Sequence, residues 1–231
     1  MKKFLKFLIG IVLLPFVLFF IYDFMAVFWA VIKNFQLTFP FLLGALMYII
    51  LHKYIYNFSR PYVFIHEVSH ALAAWFSGYH VSGIKVKEES GETQVSNVNT
   101  FVLLAPYCIP LYAVILTFLF YITSLFWADI LNYERLFLVL LGFFVTFHLI
   151  HTYKSLTETE QSDITMAGGG IFSFVLIGIV NLTLIILFIN FLFPGIIVPS
   201  SIFKEVFTQT YNFWKMFFVY IYKLIVRVGN S

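Results

Sequence analysis

Residues 59–78 read SRPYVFIHEVSHALAAWFSG, and their pattern governs how the rest of the chain is read. Ser59 is a candidate N-cap, and Pro61 suits a first helical turn. Gly78 is a suitable terminator. The spacing predicts a helix from about 59 to 76, apolar except for a polar group near its middle. There His66 and His70 stand four apart, one turn above each other on one face. Two such imidazoles can ligate one zinc ion, and Glu67 beside them can act as base on a water held there. Burying two histidines and a glutamate in an apolar helix is costly unless they are paired or bound to something. Zinc supplies that compensation; a satisfied polar cluster between helices is the structural alternative.

The surroundings of this helix are membrane-like. Of the 231 residues, 61% are hydrophobic and 11% charged, against about 25% charged in a soluble domain. Several apolar runs reach the roughly 18 residues needed to cross a bilayer. The expected fold is an all-α polytopic membrane protein, a single integral membrane domain over 1–231 with about six to seven membrane segments. One segment carries HEVSH. The net charge is +3, and the basic residues lie near segment ends. That fits membrane anchors rather than a nucleic-acid surface. The lone Cys108 has no internal disulfide partner and reads as a small apolar helix residue.

Upstream, Lys2, Lys3 and Lys6 lead into an apolar run to about residue 30. It is longer than a signal h-region and reads as a retained span. Asp23 inside it marks a bend or the interface, unless it is functional. A second span covers about 37–56, with His52 in its polar flank. Downstream, residues 79–100 form a polar insertion in which Ile84 and Val86 alternate with Lys85 and Lys87. A short β-hairpin is expected there, turning near Ser90-Gly91-Glu92. Spans follow at about 101–127, 136–153 and 164–193. Pro106 and Pro110 interrupt the first of these, and prolines in membrane helices free backbone groups for other partners. Gly168, Gly169 and Gly170 sit near the start of the last. The tail, about 201–228, is a final span or an interfacial helix. The Lys and Arg distribution favours a cytoplasmic N-terminus in a cell membrane.

A catalytic zinc site takes three protein ligands and leaves one position open. The pattern with a third histidine six residues after the second fails, because that place is Phe76. Glu88, Glu89 and Glu92 are at a possible distance but lie in the hairpin. Asp163 is the best-placed candidate, at the junction of a polar link and an apolar run with small glycines beyond it. Its carboxylate would also suit a helix start. His148 and His151, three apart on one face, could ligate, hold an oxyanion or line a polar seam. Asp129 reads as a solvated loop residue.

His66, Glu67 and His70, followed by Ala71, Ala73, Ala74, Gly78 and the 81–95 stretch, resemble the site-2-protease family of intramembrane zinc metalloproteases. That family takes its third ligand from an aspartate of a later segment, within a DG motif. DG is absent here; Asp163 in QSDI matches in residue type and in the order of segments. The resemblance implies zinc on His66, His70 and Asp163, and hydrolysis of peptide bonds in membrane-associated protein or peptide substrates. Glu67 would serve as general acid–base, with His148, His151 or an Asn beside the oxyanion. It implies a water-accessible cavity between the HEVSH helix and the helix after Asp163, and a hairpin able to pair with an extended substrate. Two other readings stay open. One is an inactive metal-binding relative acting as chaperone or regulator. The other is a transporter, which the absence of repeated halves disfavours.

Overall fold

The computed structural model describes residues 2–88, 90–157 and 161–229. Glu89 and residues 158–160 of the second polar link lie outside them. The elements are α1 (Lys2–Lys33), α2 (Phe35–Tyr54), α3 (Ser59–Phe76), β1 (Val81–Val86), β2 (Gly91–Val95), α4 (Thr100–Cys108), α5 (Leu111–Ser124), α6 (Glu134–Thr157), α7 (Ser162–Ala167), α8 (Gly170–Leu192) and α9 (Pro199–Gly229). A short 3-10 turn, Ala128–Tyr133, precedes α6. Among the described residues the architecture is helical with one two-stranded antiparallel hairpin.

Among the described residues, four helices are long and apolar enough to cross a membrane, or five if α4 and α5 form one bent span. The sequence predicts about six to seven segments. The difference has local causes. HEVSH and its polar neighbours dilute α3, and Lys204, Glu205, Lys215, Lys223 and Arg227 do the same for α9. The 101–127 run is broken at Ile109-Pro110, where the axes turn by 73°.

The chain divides into two compact units. One comprises Met1–Asn34 and Phe174–Ser231. In it α1 packs on α9 through Phe16 and Phe207, whose ring centroids are 5.1 Å apart. Asp23 accepts a hydrogen bond from Gln209 Nε2 at 3.3 Å, so the carboxylate within the first apolar run has a partner on α9.

The other unit, Phe35–Ser173, contains HEVSH. Its frame is the α2–α6 pair. A side chain at Gly44 would overlap the Val139 carbonyl, and one at Gly142 would overlap the Phe41 carbonyl. These reciprocal notches let the two backbones meet. Toward the end of the pair, Tyr48 is fully buried against Phe143 and Phe147.

α3 begins beside Asn57, whose Oδ1 accepts from Ser59 N and from Ser59 Oγ. Ser59 is thus the first helical residue rather than the N-cap; Phe58 holds that position without a side-chain cap bond. The helix ends as expected at Gly78, with φ +76°. Tyr79 N–H bonds to Ala74 O and Gly78 N–H to Trp75 O, the pairing of a Schellman motif. Ala73 and Ala74 then pack against Val102 and Ala105 of α4. Asn99 caps α4 through Val102 N–H and reaches Ser77 Oγ at 3.1 Å, tying the end of α3 to the start of α4.

Candidate metal centre

His66 and His70 point from α3 toward Asp163 in the first turn of α7. Asp163 Oδ2 lies 3.7 Å from His66 Nε2 and 3.3 Å from His70 Nε2. One ligand atom from each residue falls within 4.8 Å of the other two. Among the described residues this is the only such group of three metal-ligating side chains. A tetrahedral zinc with ligands at ~2.0–2.1 Å sets neighbouring donors about 3.3 Å apart, so the spacing fits. Two imidazole nitrogens and one carboxylate oxygen also suit that ion chemically.

Each donor is oriented from behind. His70 Nδ1 lies 2.8 Å from Val102 O. An N–H there donates to the carbonyl and leaves Nε2 free as a ligand. That carbonyl is available because of Pro106: residue 106 is four places on from Val102 within α4, and proline has no N–H to close the helical bond. His66 Nδ1 lies 3.3 Å from Tyr62 Oη, which accepts from Ser155 Oγ at 2.9 Å. Asp163 Oδ2 accepts from Tyr107 Oη at 3.1 Å, and the same hydroxyl lies 3.2 Å from Gln161 Oε1. Burial pushes the Asp163 carboxyl up, but the His66 and His70 imidazoles beside it outweigh this and hold it well below the usual carboxylate range.

α7 is short because Gly168 and Gly169 leave the helix at φ +154° and +95°. The sequence predicts one continuous helix there with the glycines as contact points; they are instead its break. Gln161, not Asp163, occupies the N-cap position, so the aspartate is free to face the histidines.

Glu67 is 6% exposed. The hairpin covers it. Thr93 Oγ1 lies 2.7 Å from Glu67 Oε2 and 2.9 Å from Glu67 O. Gly91 lies against the same side chain, where a Cβ would come within 2.6 Å of Oε1. A cavity of about 690 Å³ opens at this point, a size typical of ligand sites. α3, the hairpin, α6 and α7 supply most of its wall, including His66, Glu67, His70, Thr93, His151 and Asp163. The expected cavity wall from the helix after Asp163 is thus contributed by α7, α6 and the hairpin.

His148 and His151 are both buried, and neither joins the three-donor group. His151 lines the cavity and stacks on Tyr62 at 4.7 Å. His148 lies on a separate small pocket with Ser69 and Tyr112. Asp129 is exposed in the 3-10 turn. Glu92 lines the cavity without entering the donor group, and Glu88 is exposed. Sequence reasoning missed Tyr62, Gly91, Thr93 and Tyr107. Only Pro106 offered a signal, as a residue that frees a carbonyl.

A family model described as Peptidase M50B-like matches residues 39–159. The matched region includes His66, Glu67, His70 and the hairpin, and ends four residues before Asp163. No curated protein and no solved structure shows a significant match to the chain.

Proposed function

The chain belongs to the Peptidase M50B-like family, and from that premise we propose that it is a membrane-embedded zinc metalloprotease. The observation that carries this reading is the convergence of His66 Nε2 and His70 Nε2 on Asp163 Oδ2, with Glu67 buried beside them. The substrates are peptide segments of membrane-associated proteins, and the site is a cell membrane with the N-terminus cytoplasmic.

His66, His70 and Asp163 would hold the ion. Bound zinc supplies a Lewis acid that polarises the scissile carbonyl and acidifies water. Glu67 takes the proton of the attacking water and returns it to the leaving amine, the work of a general base that becomes a general acid. Tyr107 and the Val102 carbonyl hold Asp163 and His70 in place. The cavity admits water and an extended peptide, while the apolar exterior of the spans faces lipid.

The test is metal content and proteolysis of the purified full chain in detergent, with fluorescent casein as probe. Glu67→Gln is expected to retain zinc and lose cleavage by roughly 10²–10⁴-fold, the usual contribution of a general base. Asp163→Ala is expected to lose both. A wild-type chain that takes up no zinc, or a Glu67→Gln variant that cleaves like wild type, sinks the reading.

A further inference from the structure

A glutamate has three rotatable side-chain bonds, so its place beside a metal ligand does not by itself aim its carboxylate. Preorganisation of a proton acceptor is worth orders of magnitude in rate. In this chain the aiming comes from outside α3. Thr93 Oγ1 reaches both the carboxylate Oε2 and the main-chain carbonyl of Glu67, sharing its single proton between them. Gly91 presents a bare backbone to Cγ, Cδ and Oε1 of the same residue. Gly91 and Thr93 are two apart on β2, so they share one face of the strand. Their partners on β1, Val86 and Ile84, fix the register.

From this geometry we propose that β2 aims the general base: Thr93 is a positioning residue for Glu67, and Gly91 is the notch that sets the depth of the carboxylate. The inference rests on the reading of Glu67 as general base. With Oε2 engaged by Thr93, Oε1 is the oxygen left to take a proton. Any residue larger than glycine at 91 displaces the carboxylate, because its Cβ would fall 2.5 Å from Glu67 Cγ. The polar insertion of 79–100 is then part of the catalytic apparatus as well as a cover for it.

Acetohydroxamate tests this without a substrate. A hydroxamate chelates zinc and hydrogen-bonds to the adjacent base, so its affinity reports where that base points. In zinc-loaded full-length protein, Thr93→Val is expected to weaken acetohydroxamate about tenfold, the scale of one charge-assisted hydrogen bond. Zinc content and melting temperature stay near wild type. Thr93→Ser, which keeps the hydroxyl, restores the affinity. Gly91→Ala weakens it as well, and Thr93→Ala carries the same expectation should valine disturb the hairpin. In a double-mutant cycle, Thr93→Val adds little to Glu67→Gln. Wild-type affinity in Thr93→Val, or an undiminished effect in the Glu67→Gln background, overturns the proposal and leaves Glu67 as base untouched. If Glu67→Gln alone leaves acetohydroxamate affinity unchanged, the general-base reading falls and this inference falls with it.

Discussion

At the scale of single residues, the site is a set of donors each held by a second group. The histidine pair was legible because four residues make about one helical turn, whatever the rest of the fold does. Asp163 was legible only as the best of several acids, since nothing in QSDI says which way its carboxylate points. The group that holds it, Tyr107, is 56 residues away and carried no sequence signal. Its hydroxyl is a donor to the same oxygen that approaches both imidazoles. Tyr107→Phe keeps the ring and removes that donor. Loss of such an outer partner typically costs 10–100-fold in metal affinity. Zinc affinity measured by chelator competition is expected to fall by about that factor, with folding preserved. Unchanged affinity would remove Tyr107 from the site.

At the scale of elements, breaks matter more than regular helix. Pro106 sits inside α4 without ending it, and its missing N–H leaves Val102 O for His70. Pro106→Ala returns an N–H that competes for this carbonyl and also favours the helix. The two effects have opposite signs. Thermal stability is expected to hold or rise while zinc affinity falls several-fold, and a parallel change in both would argue against the carbonyl's role. The same logic explains α7. By sequence the glycines after Asp163 suit close packing as contact points in a long helix. Their left-handed φ angles end α7 after six residues. Hydropathy alone does not distinguish a glycine that packs from a glycine that breaks. The hairpin was readable from alternation and its turn residues, but its docking on Glu67 was not, since that depends on which face of β2 meets α3.

At the scale of the whole molecule, the three donors come from two segments separated by 93 positions between His70 and Asp163 (163 minus 70). A metal held by all three cross-links α3 to α7, and an ion that binds only the folded state stabilises it. Zinc at 100-fold above its dissociation constant adds about 2.7 kcal/mol. Melting in detergent, followed by tryptophan fluorescence, is expected to shift upward with zinc and downward with chelator, and Asp163→Ala should abolish the difference. Identical melting with and without zinc would mean that the donor group does not bind it. The span count follows from the same balance of polar and apolar residues. The segments that fall short of a clean crossing, α3 and α9, are those that carry charged or metal-ligating side chains.

Composition and periodicity by themselves determined that this is a helical membrane chain with a polar hairpin. They also placed His66, Glu67 and His70 on one stretch of helix. These are short-range properties: hydropathy sums along the chain, and helical spacing repeats every 3.6 residues. Only the tertiary structure decided which acid faces the histidines, which carbonyl holds His70 and which strand lies on Glu67. Those contacts join residues 26 to 97 positions apart. They are set by the packing of α4, α7 and β2 around α3, which no local pattern encodes.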